Sequence, residues 1–161
     1  MWGLQKTMGR GMGKKLLGCK LDLDEASGVV ECVAPQGLSL KGETYQKNID
    51  GVVMESRLEP RGVAAIITPF NFPIMVPLWM TPSALATGNC FILKPSEKDP
   101  SVALKLAALL KEAGLPDGVF AVVQGGREAV ESIIAHPGIA AISFVGSTAI
   151  AETIYKGGTA A

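Results

Sequence analysis

Lys94, Glu97 and Lys98 stand together in Lys94-Pro-Ser-Glu97-Lys98, directly after the apolar run Cys90-Phe-Ile-Leu93. A lysine and a glutamate three residues apart can hydrogen-bond the vicinal hydroxyls of a ribose, and glycines nearby let a backbone approach a pyrophosphate. Such glycines occur in Gly125-Gly126 and Gly146-Ser147, each again just after an apolar run. A further polar interruption, Thr68-Pro-Phe-Asn71-Phe-Pro73, follows the run that begins at Val63. The combination points to a nucleotide site. The other reading of Lys94 and Glu97 is a solvated ion pair at the start of a helix, and the residues alone leave both open. No Gly-x-Gly-x-x-Gly follows the first apolar run, so the standard dinucleotide fingerprint is absent.

Other chemistries find less support. Cys19, Cys32 and Cys90 are odd in number and lack Cys-x-x-Cys spacing, and His136 offers a single metal ligand, so zinc sites and disulfide frameworks are poor readings. Met8-Gly-Arg-Gly-Met-Gly-Lys14-Lys15 approaches a phosphate loop but has Met8 where glycine is needed and Lys15 where serine or threonine is needed. Basic and acidic side chains balance at 15 each. That removes the electrostatic basis for binding nucleic acid or an anionic membrane. His136, followed by Pro137, reads as a helix terminator. Trp2, Trp79 and the methionines between Met75 and Met80 read as packing.

The elements that must position the strand-end residues follow from the apolar pattern. The chain of 161 residues, 48% hydrophobic and 19% charged, has the size of one soluble domain that needs no disulfide or structural metal. From Gly62 to Leu93 there is no charged side chain, but Pro69, Pro73, Pro77 and Pro82 argue against a membrane span. The better parse is a strand from Val63 to Thr68, a loop, and a helix ending at Thr87 with Gly88 as its cap. Further strands are expected at Cys90–Leu93, Val119–Val123 and Ala140–Val145. Helices separate them, one capped by Asp99 or Ser101 and one over Arg127–Ala135. Short strands alternating with helices imply an α/β fold with a doubly wound, mainly parallel, Rossmann-like sheet, whose ligands lie beyond the carboxyl ends of its strands.

Upstream, Thr44–Leu58 reads as an extended hairpin with an edge strand, closed by a type I turn at Glu59-Pro60-Arg61-Gly62. Residues 1–25 are expected to be irregular, 26–61 to hold a helix end and the edge hairpin, and 62–161 to form part of a cofactor-binding domain. Glycine and lysine interrupt residues 1–21 too often for a signal peptide, so the expected location is the cytoplasm.

Ile67-Thr-Pro-Phe-Asn-Phe-Pro73, Gly88-Asn89 with Leu93-Lys-Pro-Ser-Glu97, Gly114-Leu-Pro-Asp-Gly118 and Ser143-Phe-Val-Gly-Ser147 occur in the order and spacing of the aldehyde dehydrogenase superfamily. With Phe70, Met75-Val-Pro-Leu-Trp-Met80 and Lys94-Pro-Ser-Glu-Lys-Asp-Pro100, the chain resembles most the CoA-acylating, NAD-linked branch of methylmalonate-semialdehyde dehydrogenases. The resemblance runs from about Gly28 to Ala161, and residues 1–24 fall outside it.

The resemblance implies a role for each matching position. Asn71 matches the amide that helps hold the oxyanion when a thiolate adds to the aldehyde. Thr68 and Phe70 match the loop lining the cofactor, Lys94 and Glu97 the adenosine ribose contacts, and Lys98 a neighbouring contact. Gly126 passes beside the adenine, and Ser147 is a cofactor contact at a helix start. A carboxylate at Glu97 would repel a ribose 2′-phosphate, which favours NAD over NADP. Full-length members are implied to be homo-oligomeric, with CoA and a semialdehyde as co-substrates.

The family's nucleophilic cysteine and general-base glutamate lie well beyond Ser147, so this sequence is expected to be an amino-terminal fragment, inactive alone. Cys19, Cys32 and Cys90 are each expected to be structural. The branch's substrate-carboxylate arginine aligns with Asp22-Leu-Asp-Glu25-Ala-Ser-Gly28, which contains no arginine. A second reading is a non-catalytic nucleotide-binding or assembly module that works with a separate chain. A third is an unrelated flavodoxin-like binder, which fits the strands without the motifs.

Overall fold

The structure, a computed structural model, describes residues 2–46 and 50–160. Its centre is a parallel sheet of β3 (Val63–Ile67), β4 (Cys90–Lys94), β5 (Phe120–Val122) and β6 (Ile139–Phe144), in the order β5-β4-β3-β6. From β3 the chain steps outward to β4 and β5, then crosses back to place β6 on the other side of β3. That reversal opens a crevice at the carboxyl ends of β3 and β6, where open parallel sheets bind ligands. The four strands sit within one or two residues of where the apolar runs place them.

The strands are apolar on both faces because helices cover both. Ile66, Phe91 and Leu93 pack with α4 (Met75–Ala86) and α5 (Ser101–Glu112). Ala65 and Ile67 pack against Ile133 of α6 (Arg127–Ala135) and Ile154 of α7 (Thr148–Ala160). On α5, Val102, Ala103, Leu106 and Leu110 form the inward stripe. α4 ends at Gly88, whose φ is +81° and whose N–H donates to Leu85 O at 3.1 Å, as expected.

Three expectations need correction. Residues 2–12 and 16–25 are helical, in α1 (Trp2–Met12) and the first part of α2 (Leu16–Val33), which the short α3 (Gln36–Ser39) follows. Leu4 and Met8 on α1, with Cys19, Leu23 and Ala26 on α2, are buried where α1 packs on α2 and α5 and α2 packs on α4. Burial offsets the helix-propensity cost of the glycines that obscure this periodicity. The hairpin of β1 (Glu43–Gln46) and β2 (Val53–Ser56) is not an edge of the main sheet. The two strands form their own antiparallel pair, exposed throughout. β1 is almost wholly polar and β2 has only two adjacent apolar residues, Val53 and Met54, so the pair lacks the continuous apolar surface that the parallel layer buries.

Glu59–Gly62 is not assigned as a turn; Asn89 Oδ1 instead accepts the N–H groups of Arg61 at 2.6 Å and Gly62 at 3.0 Å. A side-chain acceptor thus replaces the internal turn bond. Among the described residues, no helix is long and apolar enough to cross a membrane.

Candidate functional site

The loops after β3, β4 and β6 and the start of α6 enclose a groove of about 550 Å³. Thr68, Phe70, Lys94, Glu97, Lys98, Gly126 and Ser147 all line it. Residues spread over eighty positions of sequence are thereby brought to one crevice. Its floor is apolar, with Ile67, Ile134 and Phe144 among the lining side chains.

Lys94 ends β4 and is only 4% exposed. Its Nζ lies 3.4 Å from Glu97 Oε2, while the Glu97 side chain stays largely in solvent. Glu97's own backbone N–H, then the ammonium of Lys94 and the charge of Lys98, hold its carboxyl below the ordinary range against an opposing desolvation. An ionised acceptor beside a buried ammonium can take the two hydroxyls of a diol, accepting from one and donating to the other. Lys98 Nζ stands 4.9 Å from the centre of the Phe70 ring, a cation over an aromatic face at the groove's rim.

Thr68 donates its N–H to Lys94 O at 3.1 Å, which locks the two strand ends together. Its hydroxyl is buried and has no hydrogen-bond partner among the described residues. Such an orphan costs stability until a ligand meets it. Gly126 caps α6 and Ser147 O accepts the N–H of Ala151 at the start of α7. Two helix N-termini therefore reach the groove, each a fit for phosphate oxygens. Orphaned hydroxyl, diol grip and helix starts together suit a dinucleotide.

Asn71 lies outside this lining, on the exposed loop between β3 and α4. Its carbonyl lies 3.5 Å from Lys14 Nζ. Lys14 also meets Asp22 Oδ2 at 2.5 Å and stands 4.5 Å from the centre of the Phe72 ring. Sequence reasoning missed Lys14, because the contact spans 57 residues and the glycines around it suggest an irregular segment. It also missed Arg127 and Glu131, which line the groove and pair at 2.6 Å. Their four-residue spacing on a helix was the available signal.

None of the three cysteines lines the groove. Cys19 is buried and its thiol is pushed up chiefly by that burial; Cys32 is exposed and Cys90 half-buried. His136 follows α6, and its Nδ1 accepts the Gly138 N–H at 3.0 Å. No cluster of potential metal ligands occurs among the described residues. Asp22–Gly28, the segment expected to align with the carboxylate-binding arginine, lies in α2 with Asp22, Leu23 and Ala26 buried. A larger hollow of about 670 Å³ runs beside β6, but it contains none of the strand-end residues that could grip a nucleotide.

The aldehyde dehydrogenase family model matches residues 3–161, so the likeness begins well before Gly28 and takes in the helices of residues 3–24. A malonate-semialdehyde dehydrogenase of Pseudomonas aeruginosa is 57% identical over 129 residues, covering 80% of this chain and 25% of that relative. A methylmalonate-semialdehyde/malonate-semialdehyde dehydrogenase of the acylating kind from Dictyostelium discoideum is 47% identical over 92% of this chain and 28% of its own length. Among solved structures, the methylmalonate-semialdehyde dehydrogenase of Oceanimonas doudoroffii superposes with a TM-score of 0.94 at 47% identity, over 98% of this chain and 32% of that one. A structure from Sinorhizobium meliloti described as the same kind of enzyme, complexed with NAD, gives 0.94 at 46% identity, again over 98% and 32%. The chain spans about a quarter to a third of the length of these relatives. With the family model running over nearly every residue and such likeness to its solved members, this chain belongs to the aldehyde dehydrogenase family.

Proposed function

We propose that this chain is the NAD-binding part of a CoA-acylating semialdehyde dehydrogenase of the malonate and methylmalonate class. The observation that carries the reading is the convergence of Thr68, Phe70, Lys94, Glu97, Lys98, Gly126 and Ser147 on one groove at the sheet's reversal point. Bound there, NAD would supply the hydride acceptor. Lys94 and Glu97 hold the adenosine ribose, and Lys98 adds a neighbouring contact. Gly126 leaves room beside the adenine, while Thr68, Phe70 and Ser147 line the remainder. Glu97, ionised and beside the 2′ position, disfavours a 2′-phosphate, so the groove selects NAD over NADP.

Asn71 serves as an oxyanion donor: its side-chain amide meets the negative oxygen that forms when a thiolate adds to the aldehyde carbonyl. Neither the thiolate nor the general base comes from the residues of this groove. Residues 62–161 form the cofactor-binding unit and those before it its support, and the complete reaction, with CoA and a semialdehyde, requires the thiolate from further polypeptide. Isothermal calorimetry tests the reading. NAD is expected to bind the purified chain and to bind more weakly to Lys94→Ala and Glu97→Ala. Equal affinity in all three proteins would remove the ribose assignment.

A further inference from the structure

An oxyanion donor helps only if its dipole is already aimed when charge develops. Asn71 sits on an irregular loop, exposed, four residues beyond the last residue of β3. The loop is tied at its edges: Thr68 N–H binds Lys94 O at 3.1 Å and Val76 N–H binds Phe72 O at 3.4 Å. Between those ties, the contact made by the backbone of Asn71 itself is with the ammonium of Lys14.

We propose that Lys14, held in place by Asp22, is a positioning residue that fixes the Asn71 loop from the far side of the fold. The inference rests on the oxyanion role proposed above for Asn71. Lys14 lies in the short link between α1 and α2, and α2 packs along α4, the helix that the Asn71 loop leads into. Its ammonium meets three groups at once: Asp22 Oδ2 at 2.5 Å, Asn71 O at 3.5 Å and the face of Phe72 at 4.5 Å. Three ammonium donors match a carboxylate, a carbonyl and a ring face.

Asp22 is 5% exposed and sits among the apolar residues of α2. A carboxylate so buried is retained only with a partner, and removing that partner leaves an uncompensated charge. Asp22 therefore holds Lys14, and Lys14 holds the carbonyl of Asn71 and the ring beside it. The loop has no regular hydrogen-bond ladder of its own, so this contact sets how freely Asn71 rotates.

Amide hydrogen exchange on the 161-residue chain, read residue by residue by NMR, tests this. In Lys14→Met, exchange at Val76, whose N–H closes the Asn71 loop onto Phe72 O, is expected to quicken about tenfold, the scale of one lost charge-assisted contact. Exchange at Ile92 and Leu93 in β4 should stay as in the wild type. Lys14→Arg should restore most of the protection, and Asp22→Asn, which keeps the lysine but loosens it, should fall between. Unchanged exchange at Val76 in Lys14→Met overturns the proposal. So does an equal increase at Val76 and in β4, which would make Lys14 a general stability residue. If Lys14→Met does not fold, Asp22→Asn decides by the same comparison.

Asn71→Ala, assayed for turnover after the chain is combined with a separately expressed carboxyl-terminal portion of a family member, tests the catalytic reading separately. Retained turnover there removes the donor role even where the exchange result stands. Lost turnover with unchanged exchange in Lys14→Met overturns the positioning role alone.

Discussion

Lys94 and Glu97, the proposed ribose contacts, differ in setting, since the ammonium is buried and the carboxylate is in solvent. Losing either should cost NAD about 1.5–3 kcal/mol, or roughly tenfold or more in affinity. Glu97→Gln should narrow the preference for NAD over NADP, because a neutral amide no longer repels a 2′-phosphate. Dissociation constants for both cofactors at two salt concentrations check this; an unchanged ratio would place Glu97 away from the 2′ position. The pH dependence follows the same carboxylate. Its folded value lies below the ordinary 4.5, so the ionised form, and with it NAD affinity, persists as pH falls from neutral and is lost only below that ordinary value. These groove residues were legible in the sequence because each follows an apolar run that must end at one edge of the sheet. Lys14 was not: no local pattern announces a contact made across the fold to a backbone carbonyl.

At the start of α5, Asp99 is 2% exposed, and burial pushes its carboxyl above the ordinary value against the opposing hydrogen bonds from Ser101. Its Oδ2 is buried without a partner among the described residues. A raised folded pKa means that Asp99's favourable contribution is present below the ordinary 3.8 and is lost as pH rises through the folded value. Asp99→Asn should therefore melt higher than the wild type at neutral pH, and the gap should close as pH falls toward the ordinary value. The carboxylate also fixes the approach of α1, since a Cβ on Gly11 would collide with it. Gly11→Ala would gain about 1 kcal/mol of helix propensity but incur an overpacking cost of about 1–3 kcal/mol. The cost wins, and thermal melts should show destabilisation. Gly28→Ala on α2 meets nothing within 4 Å and should stabilise by about 0.5–1 kcal/mol. Strands β3 to β6 were readable because unbroken apolar runs have few alternatives. Helices α1 and α2 were not, because their stripes are carried by Leu4, Met8, Cys19 and Leu23 among glycines and lysines, and the layer beneath them supplies the rest of their stability.

As a whole molecule, the chain gathers its strand-end residues into a groove with no cysteine in its lining. Neither Cys32 nor Cys90 lines the groove, and the thiol of Cys19 is both buried and raised. The 161-residue protein should therefore produce no NADH from a semialdehyde and CoA, because no cysteine lines the groove to form the adduct from which hydride departs. Turnover by this chain alone, abolished by Cys90→Ser, would overturn that reading. The sheet order has a consequence for how the protein is made. β3 takes β4 as one neighbour early, but its other neighbour, β6, is completed only at Phe144. At roughly 5–20 residues per second of synthesis, the open side of β3 waits several seconds on the ribosome for its partner. Throughout that wait the emerging stretch from Gly62 to Leu93 carries no charged side chain to deter other chains. The strand that later floors the groove is thus, during synthesis, open to wrong pairing with other chains, and weaker induction, which keeps fewer nascent chains in the cell at once, should raise the yield of folded protein.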